Sequence, residues 1–242
     1  MKAGHMCVSI LLGATIALDL GGIPVFGQIK DDSVAERRWS MTVSLGVTSR
    51  GPESGIENAM NASGFNQTSP ADWFGGSQAH PFSRGGSETP WEVALRFAVD
   101  PPIQIGIIVN NAANGEVIGY RQQMYLFVNY SILTIGTAAY IQVFGFRLGI
   151  GPALSKVKSW LDDAGKTVDV SSVTKLGALI DVGLSQPADT RFFFDLDFQY
   201  CFLGKVAIGP YTSSSFDSSA TMPSSRVNCS YYVIAMGVGI RF

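Results

Sequence analysis

Residues 192–202 read FFFDLDFQYCF. One parity holds Phe192, Phe194, Leu196, Phe198, Tyr200 and Phe202, and the other holds Phe193, Asp195, Asp197, Gln199 and Cys201. Successive side chains of a β-strand point to opposite faces, so this stretch reads as a strand with one wholly apolar face and one face carrying two carboxylates. The same alternation runs to Phe242: Tyr232, Ile234, Met236, Val238, Ile240 and Phe242 stand against Tyr231, Val233, Ala235, Gly237, Gly239 and Arg241. Upstream it recurs over about 173–185, where Leu176, Ala178, Ile180, Val182 and Leu184 oppose Lys175, Gly177, Asp181 and Gly183. Five further segments follow the rule, at about 39–48, 91–99, 103–110, 124–139 and 143–157, which makes eight strands.

The connections alternate in length. Those at 49–90, 111–123, 158–172 and 204–226 are long and polar, whereas Asp100-Pro101-Pro102, 140–142 and 186–189 are short. Long loops therefore gather at one end of the sheet and tight turns at the other. In a bilayer every backbone N–H and C=O needs a partner within the protein, so strands cross only as a closed barrel. The expected fold is all-β: an eight-stranded antiparallel up-and-down transmembrane β-barrel with long extracellular loops and short periplasmic turns.

Composition agrees. Of 242 residues only 15% are charged, against roughly a quarter in soluble proteins, while 46% are apolar. The balance of 17 basic to 19 acidic residues leaves no basic footprint, so no nucleic-acid partner is expected. A rival reading takes the uncharged stretch 122–146 as a transmembrane helix. Its Asn129, Ser131, Thr134, Thr137 and Gln142, and its many aromatic and β-branched residues, favour strands instead.

The chain begins with features of an export signal: Lys2, an apolar run over 7–18, and small residues before Gln28. A run of that length is too short to span a bilayer. The expected organisation is a signal peptide over 1–27, a periplasmic segment over 28–38 and the barrel over 39–242. Cleavage removes His5 and Cys7 and leaves His80, Cys201 and Cys229.

The apolar face suits lipid. The other face carries Glu92, Arg96, Arg147, Asp181, Asp195, Asp197 and Arg241, expected to neutralise one another in the lumen, because an unpaired interior charge is costly. Eight strands leave an interior that side chains fill, so no solute pore is expected. Two aromatic girdles are expected, with Trp39, Tyr140, Phe192 and Phe242 at the short-turn end and Trp91, Tyr120, Tyr125, Tyr200 and Tyr232 toward the long loops.

With its export signal, eight amphipathic strands and last strand 231–242, the sequence resembles the small bacterial outer-membrane β-barrels of the outer-membrane protein A, X and opacity-protein kind. The resemblance covers 39–242. It implies an outer-membrane location, and it implies that Phe242, with Ile240, Val238 and Met236 at alternate positions, is the signal read by the barrel-assembly machinery. Such barrels serve as anchors, adhesins, host-interaction proteins or, in a few cases, lipid-modifying enzymes. Since the chain stops at the barrel, tethering to the cell wall through an appended domain is not expected.

Little catalytic chemistry is visible. His80 lies in the longest loop with no serine at a recognisable spacing, and no strand carries a histidine. Metal sites lack ligands, the Gly-rich pieces Gly75-Gly76 and Gly85-Gly86 are not phosphate loops, and no cofactor is expected. The expected function is non-enzymatic, structural or adhesion-like, with outer-membrane lipid around the barrel. An extracellular or envelope partner would bind through loop 49–90, where Phe65, Trp73, Phe74 and Phe82 sit in a flexible polar setting. Two alternatives stay open: an outer-membrane lipid-modifying enzyme, and a soluble lipocalin-like carrier whose apolar set lines a cavity. If Thr190 lies opposite Ile240, Cys201 falls opposite Cys229, and a disulfide worth about 3 kcal/mol would close the last long loop.

Overall fold

The computed structural model describes residues 37–48, 51–67, 81–85, 89–121, 124–163, 166–215 and 218–242. The signal and segment readings over 1–27 and 28–36, and His80, Trp73 and Phe74, lie outside them. Eight long strands carry the architecture: β1 (Trp39–Thr48), β3 (Trp91–Asp100), β4 (Ile103–Arg121), β5 (Met124–Val143), β6 (Phe146–Asp163), β7 (Lys166–Gln186), β8 (Phe192–Phe202) and β13 (Tyr231–Arg241). Each pairs antiparallel with two neighbours. The pairings run β1, β3, β4, β5, β6, β7, β8, β13 and return to β1. This ring is what a bilayer demands of strands, since it leaves no unpaired edge at membrane depth. The helix alternative for 122–146 is overturned, because β5 and the start of β6 occupy it.

Two faces follow from the alternation. Outward on β8, Phe192, Phe194, Leu196, Phe198, Tyr200 and Phe202 are exposed, while Phe193, Asp195, Asp197, Gln199 and Cys201 between them are buried. Outward positions on the other strands are similar: Met41, Val43 and Leu45; Ile103, Ile105 and Ile107; Leu133, Ile135 and Ile141; Phe146, Leu148, Ile150 and Leu154. None is charged. The band runs about ten residues along each strand, which at ~3.3 Å per residue and a tilt of ~40–45° gives roughly 25 Å, the height of the lipid-facing band of an outer-membrane barrel. Trp39, Phe192 and Phe242 rim it at the short-turn end, and Trp91, Tyr200 and Tyr232 toward the other.

Among the described residues the long connections hold regular structure. β4 and β5 stay paired as far as Arg121 and Met124, and β6 and β7 as far as Asp163 and Lys166, so the strand pairs continue past the apolar band. Their polar residues read as loop, but they alternate with Val117, Leu126, Val128, Val157 and Leu161, which are buried. Within 49–90 lie a helix α1 (Gly51–Ala62) and a short strand β2 (Phe82–Gly85), the latter paired to β4. Within 204–226 lie β9 (Lys205–Ile208) paired with β12 (Ser225–Asn228), and β10 (Tyr211–Ser215) paired with β11 (Ser218–Met222).

The local sequence explains α1. Glu53 stands in the first turn, favourable to the helix dipole, and Ile56 and Met60 share a buried face. The helix stops at Gly64, whose φ of +80° suits glycine. There Gly64 N–H donates to Asn61 O and Phe65 N–H to Met60 O, both at 3.0 Å, the Schellman pattern with its apolar contact between Met60 and Phe65. Beyond it Phe65 O accepts from Tyr120 N–H, and Gln67 N–H donates to Tyr120 O, which covers the upper edge of β4. Phe65, expected at an exposed contact surface, is therefore a core residue with 0% exposure.

The remaining turn differs from expectation as well. Strand β5 does not end at 139. It continues to Val143, and the reversal falls at Phe144-Gly145, with φ of +53° and +83°, a two-residue hairpin turn of the kind that matches strand twist. Tyr140 accordingly faces the lumen, buried, rather than joining a girdle.

Candidate functional site

The lumen is stacked in layers along the barrel axis. In the layer nearest the short turns, β3, β6, β7 and β8 project Glu92, Arg96, Arg147, Asp181, Asp195 and Asp197 inward, each at most 2% exposed. Arg147 donates through Nη1 to Ser185 Oγ (2.9 Å) and Asp195 Oδ1 (3.1 Å), and through Nη2 to Asp195 Oδ2 (3.2 Å) and Asp197 Oδ1. Arg96 donates to Thr42 Oγ1 (3.1 Å), Asp195 Oδ2 (3.4 Å) and Asp197 Oδ2 (3.5 Å), and stands 3.8 Å from Asp181 Oδ2. Ser185 Oγ donates to Asp195 Oδ1 at 2.6 Å.

Tyr140 completes the cluster, and sequence reasoning missed it. Its hydroxyl donates to Asp181 Oδ2 at 3.0 Å, and its ring lies 5.6 Å from the Arg96 guanidinium carbon and 6.0 Å from that of Arg147. Glycines make the room: a methyl at Gly149 would overlap the Tyr140 ring, and one at Gly183 the Arg147 guanidinium and Asp197. Both Glu92 oxygens lack a hydrogen-bond partner, so the layer sets four carboxylates against two guanidiniums.

Arg241 does not join this layer. It sits at the end of β13, where Nη1 donates to Pro187 O (3.2 Å) and Thr190 O (2.6 Å), and its guanidinium lies 4.0 Å from the centre of the Phe193 ring. Its parity is that of the lumen set, but the strand runs out there, and the arginine closes the rim instead.

Above the charged layer comes a neutral polar one. Asn110 Nδ2 donates to Gln199 Oε1 (2.9 Å), Tyr231 Oη donates to Asn110 Oδ1 (3.0 Å), and Thr134 Oγ1 lies 2.6 Å from both Tyr231 Oη and Ser155 Oγ. Next comes an apolar core formed by Ile132, Val157, Leu161, Val206, Tyr211 and Val227, joined by Ile56, Met60 and Phe65 from α1 and its cap. Tyr130 Oη ties Glu53 of α1 to β5 at 2.7 Å, and Tyr211 bonds Ser159. The long-loop end is thus a folded cap seated in the barrel mouth.

Cys201 and Cys229 are free and buried. Strand β8 pairs with β13 so that Ile240 faces Phe192, and Cys201 faces Tyr231 rather than Cys229. The assumed register was wrong by two residues, which places Cys229 beyond the strand, with its N–H donating to Gly204 O. The disulfide expectation is therefore corrected. Burial pushes the Cys229 thiol up to about 11.

Met236, Val238 and Phe242 are exposed on the lipid face, and Ile240 is half-buried. Among the described residues no group of His, Cys, Asp and Glu could hold a metal ion.

No family model and no curated protein matches the sequence. Solved structures do match in fold. The outer-membrane protein OprG from Pseudomonas aeruginosa superposes with a TM-score of 0.51 at 11% identity, over 85% of this chain and 96% of that one. The chain has the fold of the eight-stranded outer-membrane β-barrels. Neisserial surface protein A matches at a TM-score of 0.41 and 13% identity, over 84% of this chain and 96% of that one. The attachment invasion locus protein Ail of Yersinia pestis matches at 0.39 and 12%, over 85% and 97%. At such identities the likeness speaks for the fold of the barrel alone.

Proposed function

We propose that this outer-membrane β-barrel protein is non-enzymatic and works as a surface-interaction protein, presenting its cap outside the cell. Short turns of bacterial barrels face the periplasm, which puts α1 and β9–β12 on the extracellular side. One observation carries the reading: the long-loop end is a built body with its own apolar core, in which α1 is locked by the Glu53–Tyr130 bond and capped at Gly64. A pore would keep that mouth open, and here the mouth is packed. Lipid surrounds the band, the barrel-assembly machinery reads the strand ending at Phe242, and an extracellular or envelope partner meets the cap.

The test is a cell-surface comparison. Cells with the intact protein are set against cells in which residues 51–67 are replaced by a Gly/Ser linker of equal length. Adhesion to host-matrix components should fall while the barrel still assembles, shown by its heat-modifiable migration on gels. Lipid A of altered mass in cells carrying the protein would support the lipid-modifying alternative instead. Steady ion flux through proteoliposomes would overturn the closed lumen.

A further inference from the structure

The upper boundary of the apolar band, toward the cap, differs from one side of the barrel to the other. On β3, β8 and β13 it is closed by the rings of Trp91, Tyr200 and Tyr232, all on the outward face. On β6 the outward positions read Leu154, Lys156, Lys158 and Trp160, so ammonium groups stand where the other side has rings. Lys156 and Lys158 are both exposed, and at i and i+2 of one strand their Cα atoms lie about 7 Å apart on one face. Among the described residues neither has a carboxylate within ion-pair distance, and Asp162 lies higher on the strand, beyond Trp160.

The register supplies their surroundings. β7 places Thr174 opposite Lys156 and Ser172 opposite Lys158, and both hydroxyl residues are exposed. One row lower Leu154 faces Leu176, at 50% and 69% exposure. The surface therefore carries ammonium and hydroxyl donors above and aliphatic side chains below, along one pair of strands. A lysine on the lipid-facing parity lays its stem over such leucines and lifts its charge to headgroup level. A phosphate oxygen there accepts from ammonium and hydroxyl together, while a zwitterionic headgroup brings a cation of its own against the lysines. A soluble anion would leave the leucines unused. A phosphate monoester carries up to about two charges for the two ammoniums, against one on a phosphodiester.

We infer that the outward face of β6 and β7 binds a phosphorylated glycolipid of the outer leaflet, with Lys156, Lys158, Thr174 and Ser172 holding a phosphate and Leu154 and Leu176 its acyl chains. This rests on the cap facing outside the cell, since an inverted barrel would show the same face to the phospholipids of the inner leaflet.

The full chain, folded in zwitterionic detergent, is titrated with lipid A bearing both phosphates, with the same lipid A dephosphorylated, and with phosphatidylglycerol, and bound lipid is counted by native mass spectrometry. Wild type is compared with Lys156→Gln/Lys158→Gln and with Arg38→Gln/Arg191→Gln, which removes two exposed charges at the opposite end of the barrel. All three proteins are first shown to migrate in the heat-modifiable form. An ammonium at an anionic lipid surface is worth roughly fivefold in affinity, so the lysine variant should bind lipid A at least tenfold more weakly. That loss, with the arginine variant unchanged and the two other lipids bound at least tenfold more weakly by wild type, supports the inference. Absence of saturable lipid A binding overturns it, as do equal losses in the two variants or equal binding of the dephosphorylated lipid or of phosphatidylglycerol. Binding in detergent does not depend on the direction of insertion, which is read separately by an impermeant maleimide on Asn58→Cys, at an exposed position of α1. Labelling in intact cells without lipid A binding overturns the lipid site alone. Labelling only after lysis overturns the outward cap, and with it the glycolipid.

Discussion

Replacing Arg147 with Met tests how the charged layer is held together. The change removes four hydrogen bonds, one to Ser185 and three to Asp195 and Asp197, and leaves Arg96 as the single guanidinium among four buried carboxylates. Breaking a buried pair by deleting one partner costs about 3–5 kcal/mol, because the remaining charge keeps its desolvation penalty without its compensation. Asp195→Asn is a different perturbation. It takes away one carboxylate of an acidic excess; the amide oxygen still accepts from Arg147, while the amide nitrogen gives up the acceptor role of the other carboxylate oxygen, a loss of about 1–2 kcal/mol. The two variants share the Arg147–Asp195 bonds, and charge balance predicts that the arginine variant is worse by about 2 kcal/mol. The assay is reversible urea unfolding from lipid vesicles, followed by tryptophan fluorescence. At a slope of about 2 kcal/mol per molar urea, the Arg147→Met midpoint should fall by about 1.5–2.5 M, and that of Asp195→Asn by less than about 1 M. Equal costs, or an Arg147→Met midpoint within about 0.5 M of wild type, would refute the charge-excess reasoning.

Four further outcomes are expected. Gly149→Ala should cost about 1–3 kcal/mol by driving a methyl into the Tyr140 ring, and the double variant Gly149→Ala/Tyr140→Leu should cost less than the sum of its parts, read by the same urea titration. Phe65→Ala should cost about 3–5 kcal/mol of cap stability, so hydrogen exchange should quicken at the amides of α1 and leave those of β8 and β13 protected. The Cys229 thiol stays protonated in the folded state up to about 11, above its ordinary value of 9.0, so the unfolded chain releases its proton first: stability from this group is full below about pH 9 and is lost as pH rises through 11, by about 2–3 kcal/mol. Cys229→Ala should flatten that slope, and in the wild type Cys201 and Cys229 should both alkylate after unfolding without reductant. Finally, Phe242→Asp puts a charge at the lipid-facing rim and should lower the fraction of protein that reaches the heat-modifiable form, while Arg191→Ala should not.

The barrel was legible because period-2 alternation is the imprint of a sheet between lipid and a packed interior, and at 39–48, 91–100, 192–202 and 231–241 nothing competes with it. Cys201 and Cys229 mark how fine that legibility is: parity puts Cys201 on the lumen face, but the register depends on where β8 and β13 begin to pair, and a shift of two residues leaves Cys229 beyond the strand. Tyr140 marks a second limit. A turn at 140–142 would put it in a girdle with the other strand-end aromatics, yet its parity with Gly136 and Ala138 is that of the lumen. The actual turn was hidden because Phe144 stands where Asn or Asp would signal a reversal, and only Gly145 marks it.

Composition misled most in the cap. Segments rich in Gly, Ser and Asn have the composition of loops, a rule that holds where backbone groups go to water. Here 111–121 and 124–132 satisfy each other, so polar outward residues cost nothing, and the inward Val117, Leu126, Val128 and Ile132 find the apolar side of α1. The pattern that would have revealed this is the continuation of β5 parity without a break from Met124 to Tyr140, through the level at which the lipid band ends. One uninterrupted face passes from a carboxylate cluster through hydroxyls to methyl groups. It follows that the cap and the membrane barrel share strands, so a perturbation of the cap core is transmitted along β4–β7 rather than through a hinge.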